Sequence, residues 1–418
     1  MVDAAPFRAL RYDPSVAGHP ASTSAPPYDE LEPFAYARHR AASPYTVLEL
    51  IAAHPAGYEA AGATLRRWRR TGVLVADPRA AFYRYEIHEL RREGPAVVRG
   101  LLAAVRLEPC GGSGAIAAHE AVDAARVADR LRRLEAAPVD LSPVLGLYRR
   151  APERLHHLLA ERPRTPPVVA MTDEAGADHR VWALDDPAEV AGIRRWLAGV
   201  PVVIADGHHR YAAARALREH RRGALGTTAA ADPAWERTLV YLVDSAQPGL
   251  QILPVHRVVR GLPGDTLSRL AGDFRCLGTG ALADLLGRLL TRPGSQGGPV
   301  FGLYLPGGPA RLLVARRPAV LAARLPRGRA GRWRRLDSAL LHHAVLPRLG
   351  NLSVGYRSDA LAAAAEVDAD PGAGLFLLRP VTAATVHALA AAGQPMPQKT
   401  TWFRPKPRTG LLMRALAD

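Results

Sequence analysis

Val202-Val203-Ile204-Ala205-Asp206-Gly207-His208-His209-Arg210-Tyr211-Ala212-Ala213-Ala214-Arg215-Ala216-Leu217 is an apolar run that meets a glycine and continues into an alanine-rich stretch. The run predicts a buried strand over Val200–Ala205, and the alanines predict a helix over His208–His220. The first N–H groups of such a helix have no partner inside it, and its dipole places partial positive charge there. The turn is therefore suited to an anion, above all a phosphate. Gly207 lets the backbone approach closely. His208, His209 and Arg210 add donors, and Arg210 can grip a phosphate through two parallel hydrogen bonds. Asp206 either caps the helix or holds a magnesium ion beside the phosphates. Plainer readings stay open: a tight turn with a cap, a pair of surface histidines, or His208 and His209 joined by His256 around a transition metal, although no spacing here is typical of zinc.

Outward from this turn the pattern predicts an α+β protein. A short strand is expected at Pro6–Tyr12, a helix at Ala61–Thr71 stopped by Gly72, and paired strands at Ala81–Glu86 and Ala96–Leu107. A helix over Val122–Ala136 and strands at Ser142–Tyr148 and His179–Leu184 follow. Asp186 and Pro187 mark the start of a helix running to Leu197. Further on, strands are expected at Leu239–Val243, Ile252–Val259 and Val300–Leu305, a helix at Leu336–Leu346, and a last strand at Leu375–Leu378. Gly/Pro-rich stretches such as Arg292–Pro299 separate them. Three segments result: 1–104, α+β; 105–225, the core with the turn; and 226–418, α+β.

The chain has 418 residues, 48% hydrophobic, and a net charge of +16. This composition excludes a disordered chain. No apolar run approaches the length that crosses a bilayer. The opening residues lack the layout of a secretory signal, so the expected location is cytoplasmic. Cys110 and Cys276 stand apart and read as core residues rather than a disulfide. The positive charge is almost all arginine. Its densest cluster, Arg324 to Arg335, offers phosphate-backbone contacts, with Trp333 able to stack on a base; a solvated loop explains it equally simply. The two lysines, Lys399 and Lys406, both lie near the C-terminus. Lysine and arginine are not interchangeable, so a compact ammonium has a place there.

Ala205-Asp206-Gly207-His208-His209-Arg210-Tyr211 resembles the phosphate-binding turn of the ParB/sulfiredoxin superfamily. The sulfiredoxin turn has its catalytic cysteine where His208 stands, so that chemistry is not expected. The likeness to the free-serine kinases, whose turn reads Asp-Gly-His-His-Arg, is greater. Over its whole length the chain resembles the family called domain of unknown function 1015. The matching pieces include Pro6-Phe7-Arg8-Ala9-Leu10, Pro26-Pro27-Tyr28-Asp29, His119-Glu120, Asp129-Arg130, Leu141-Ser142-Pro143, His179-Arg180-Val181-Trp182, Leu253-Pro254-Val255-His256-Arg257 and Met396-Pro397-Gln398-Lys399.

The superfamily resemblance implies a ParB/sulfiredoxin-like mixed-sheet core with flanking α/β segments. It also implies a kinase using ATP or ADP with magnesium on the hydroxyl of a small molecule such as free serine. Glu120, in the His119-Glu120 pair, resembles a general base toward that hydroxyl. Asp206, Gly207, His208, His209, Arg210 and Lys399 are the expected cofactor-binding residues, with Asp206 also the metal ligand. Ala117 and Ala118 stand where Arg-Pro is common in the family, and Val122 where a threonine is common. These departures point to an altered substrate or reduced activity. The alternatives are a nucleotide-binding ParB-like module on nucleic acid, for which no recognition helix is evident, and a catalytically silent scaffold.

Overall fold

A computed structural model describes residues 2–27, 31, 33–51, 57–110, 114–149, 153–161, 163, 165–225, 232–290 and 298–416. Tyr28, Asp29 and most of the Arg292–Pro299 stretch lie outside them. The fold is α+β, and its contacts group into two compact units: Met1–Ala118, Val122–Leu250 and Pro405–Asp418 in the first, His119–Ala121 and Gln251–Arg404 in the second. This differs from the three expected segments. The limit at 104/105 falls inside the strand Gly94–Arg106, and the C-terminal residues return to the first unit.

The first unit is built on a nine-stranded mixed sheet. Its order is Ile116–Ala118, Val202–Asp206, Val144–Tyr148, Arg237–Asp244, Gly94–Arg106, Phe82–Arg91, Asp178–Leu184 and Val169–Thr172, with Ala4–Ala5 also paired to Gly94–Arg106. Val202–Asp206 runs parallel to Ile116–Ala118 and antiparallel to Val144–Tyr148. A four-stranded sheet joins Ala9–Tyr12 to Leu74–Ala76, Met413–Ala415 and Val139–Asp140. The helix Tyr58–Arg70 buries Leu65 and Trp68 and exposes its arginines, as its 3.6-residue period requires. Gly72 follows it at φ 74°. The helix Ala124–Ala136 starts two residues later than expected because Asp123 caps it, accepting from the Arg126 N–H. Asp186 caps Pro187–Leu197 in the expected way.

The second unit carries an antiparallel six-stranded sheet, in the order Phe274–Gly280, Ala310–Ala315, Val300–Tyr304, Ala373–Leu377, His256–Arg260 and Ser353–Arg357. Gln251–Pro254 pairs separately with Thr401–Arg404. The single strand expected over Ile252–Val259 is thus two strands in two sheets. Pro254, without an N–H, is a natural place for a ladder to end. The helix expected at Leu336–Leu346 is α-helical only over Asp337–Leu340 and widens to a π turn at Leu341–Val345. Pro347 is the physical reason, since its ring clashes with the carbonyl four residues back. Ala373–Leu377 is not the last strand either; Thr401–Arg404 and Met413–Ala415 come after it.

Candidate functional site

The strand–turn–helix forms as the sequence predicts. Val202–Asp206 is an inner strand, Gly207 turns at φ 87°, and the helix His208–Leu225 begins at once, with the Tyr211 N–H donating to the Gly207 carbonyl at 2.9 Å. A side chain at 207 would be strained by that φ, and its Cβ would lie 3.0 Å from the Arg210 guanidinium. Arg210 is folded back over the turn. One terminal nitrogen donates to Asp206 Oδ2 at 2.7 Å, and the other donates to Ser142 Oγ at 2.8 Å and to the Pro143 carbonyl. Lys406 donates to Asp206 Oδ1 at 3.2 Å. Burial works to raise the Asp206 pKa, but the charges of Lys406 and Arg210 outweigh it, and the carboxyl is held well below the usual range. Ser142 and Lys406 are therefore part of the site although the turn alone does not reveal them. Their signals are the Leu141-Ser142-Pro143 motif and the scarcity of lysine.

His208 is buried. His209 Nε2 accepts from the Asp123 backbone N–H at 3.0 Å, so that nitrogen carries no proton in this arrangement. Beside Arg210 lies a cavity of about 60 Å³ lined by Arg130, Arg133, Asp140, Ser142 and Thr238 among others. It has room for a few waters, not for a nucleotide. Asp206 does not fit a magnesium ion, because both its oxygens already accept from cations. Among the described residues no group of three or more His, Cys, Asp or Glu could hold a metal.

The other expected site residues belong to the second unit. His119 is 1% exposed; its Nε2 lies 3.0 Å from Thr401 Oγ1, and its ring meets Phe403 edge-on. Its carbonyl accepts from the Met396 N–H at 2.8 Å. Glu120 Oε1 accepts from the Lys399 backbone N–H at 2.7 Å. Lys399 adopts φ 55°, the left-handed region unusual for a side-chain-bearing residue. Lys399 thus meets Glu120 through its backbone, while Lys406 is the lysine that joins Asp206.

In this unit Arg257 is fully buried. It donates to His342 Nε2 at 2.8 Å and to the Val255 carbonyl at 2.7 Å, and lies over the Tyr356 ring at 4.6 Å. Burial lowers its pKa to about 10, against the opposing pull of Tyr356 and Glu120. His256 accepts from the Leu378 N–H, and burial pushes both His256 and His342 down to about 4.

Two expectations elsewhere are corrected. Trp333 is 2% exposed and donates to the Pro395 carbonyl, so it presents no face for a base. Arg324, from the same cluster, is paired with Asp273. Cys276 is exposed and Cys110 half-buried; both are free thiols, and neither lies fully in a core.

The family model described as "Protein of unknown function (DUF1015)" matches residues 4–339. The chain belongs to this family. No curated protein matches the DUF1015 chain. Among solved structures it is similar to a conserved hypothetical protein from Pyrococcus furiosus, at 14% identity over 72% of this chain and 92% of that one, with a TM-score of 0.34. A free serine kinase mutant in complex with AMP shows 12% identity over 71% and 90% of the two chains, with a TM-score of 0.35. C-terminally truncated SbnI from Staphylococcus aureus shows 15% over 73% and 84%, with a TM-score of 0.36.

Proposed function

We propose that this DUF1015 protein binds the phosphates of a nucleotide, ATP or ADP, at the Asp206–Arg210 turn and transfers phosphate to the hydroxyl of a small molecule, free serine being the first candidate. One observation carries this reading. An 18-residue helix starts at a glycine with φ 87°, and two cations, Arg210 and Lys406, are held beside that start by one carboxylate. Partial charge of the helix end and full charge of the two side chains have the same sign and add. Asp206 acts as the orienting group: it aims Arg210 and Lys406 instead of holding a metal. No step is assigned to magnesium.

In the transfer the acceptor oxygen forms a bond to the terminal phosphorus, the bond from phosphorus to its bridging oxygen breaks, and the nucleotide leaves with one phosphate fewer. The acceptor proton passes to a carboxylate, which we assign to Glu120 on the strength of the His119-Glu120 motif.

Calorimetry with ATP and ADP, with and without magnesium, tests the phosphate site. The expected result is micromolar binding by the wild type and at least a tenfold loss in Arg210→Ala, with Lys406→Met losing less. Glu120→Gln keeps nucleotide binding and loses transfer to serine. Absence of binding by either nucleotide sinks the kinase reading.

A further inference from the structure

The strand Phe82–Arg91 is unusual for an inner strand. Tyr83, Tyr85 and Ile87 on one face are buried, as expected, but the other face carries Arg84, Glu86 and His88. The register places Glu86 directly between Arg99 of one neighbouring strand and Arg180 of the other, and Arg84 between Leu101 and Trp182. Residues directly opposite one another share a face. The sheet thus presents a row Arg99–Glu86–Arg180 beside a row Leu101–Arg84–Trp182. Arg84, Glu86, Arg99, Arg180 and Trp182 of these rows, with Thr165, line a cavity of about 550 Å³. That size suits a small molecule.

Arg84 and Glu86, each 4% exposed, form the floor of this cavity. Arg84 clamps Glu86 Oε1 through Nε, at 2.8 Å, and Nη2. Its Nη1 donates to the carbonyls of Leu158, at 3.1 Å, and Glu161, at the end of the helix Glu153–Ala160. It also lies over the Trp182 ring at 5.6 Å. His88 Nε2 lies 2.7 Å from the second oxygen of Glu86. These bonds explain Arg84 and Glu86 as a structural strut between sheet and helix. They leave Arg99 and Arg180 unexplained. Arg99 gives only its Nε to Glu86, at 3.2 Å, and its terminal nitrogens donate to no described residue. Arg180 has only a long, exposed contact of 3.3 Å with Asp178. Among the described residues the lining therefore sets three guanidinium groups against one carboxylate, in a recess where charges are screened less than at an open surface.

We propose that this cavity binds a small molecule bearing an oxyanion, a phosphate or a carboxylate, which Arg99 and Arg180 grip while the Arg84–Glu86 strut holds the floor rigid. Pro163, Pro166 and Pro167 in the lining offer an apolar wall for the rest of the ligand. The site is separate from the turn. The strand Val202–Asp206 lies four strand spacings from Phe82–Arg91 in the sheet order, about 19 Å. It stands whether or not the turn binds a nucleotide.

The test is calorimetry on the full chain with inorganic phosphate and with succinate as separate titrants. The wild type and Arg210→Ala are compared with Arg180→Gln and the Arg99→Gln/Arg180→Gln pair, each made in the Arg210→Ala background so that the turn adds no phosphate binding. At least one titrant is expected to bind the wild type at millimolar concentration or tighter. Arg210→Ala retains binding, and in that background the double substitution weakens it at least tenfold and Arg180→Gln alone at least threefold. Which titrant binds distinguishes phosphate from carboxylate. The single substitution, on a half-exposed side chain, keeps the test valid if the double variant folds poorly. The proposal is overturned if neither titrant binds the wild type. It is also overturned if Arg210→Ala binds neither titrant, or if its binding survives in the arginine pair made in that background.

Discussion

Asp206 and Glu86 are two acidic residues on strands of one sheet, and both are held by cations below their ordinary pKa range. For Asp206 burial raises the pKa, and Lys406 and Arg210 overcome it. For Glu86 burial again works upward, and hydrogen bonds from Arg84 and His88 overcome it. The way each is held differs. Asp206 takes Arg210 from four residues on, so a turn and one turn of helix create the pair. Glu86 takes Arg84 from two residues back and Arg99 from a neighbouring strand, with Arg180 opposite it on the other, so strand register creates that cluster. The first arrangement is a local motif that can be recognised in a sequence. The second is a product of pairing, and a slip of one residue would send every one of its charges to the other face.

If Glu86 is the strut described, its removal has the largest effect. Glu86→Ala leaves Arg84 buried without its carboxylate, and a loss of about 3–5 kcal/mol in urea unfolding is expected; a loss under 1 kcal/mol would break the contrast drawn with Asp206. Asp206→Asn is expected to cost less, about 2 kcal/mol, because the site is partly open and both cations can turn toward water. The same variant sharpens the comparison through pH. A carboxyl whose folded pKa is depressed contributes stability above its unfolded pKa, about 3.9, and loses it as pH falls further. Wild type should therefore lose more stability than Asp206→Asn below about pH 4, and the two should run parallel above it. Gly207→Ala comes next, at about 1–2 kcal/mol for a left-handed residue with a Cβ against Arg210. A crystal structure of that variant should show the guanidinium displaced. The smallest effect belongs to Arg180→Gln. Its contact with Asp178 is exposed, and a stability change within about 0.5 kcal/mol is expected by the same unfolding measurement. A larger loss would mean that Arg180 belongs to the strut rather than to the open side of the cavity.

Much of the architecture was legible. The helix stop at Gly72, the cap at Asp186 and the strand–turn–helix at Asp206 follow from backbone rules that act over a few residues. The errors are instructive. Ile252–Val259 has the pattern of one strand, yet Pro254 divides it between sheets. Leu336–Leu346 has the pattern of one helix, yet Pro347 distorts it. The Ala/Leu-rich helices Ala360–Asp368 and Ala383–Ala391 carry no signal in the pattern, because a nearly uniform apolar stretch has no polar face to give it a period.

The sequence by itself determined the turn, its glycine, its arginine and the helix behind it, because strand propensity, the freedom of Gly207 and unpartnered N–H groups are local physics. It also marked the rare lysines without saying what each does. Only the tertiary structure decided that Lys406 reaches Asp206 while Lys399 gives its backbone N–H to Glu120. Only it showed that His119 and Glu120 belong to the second unit, and that Arg84, Glu86, Arg99 and Arg180 share one face. Those pairings join residues up to hundreds of positions apart, and they depend on register and chain path, which no spacing along a single chain can specify.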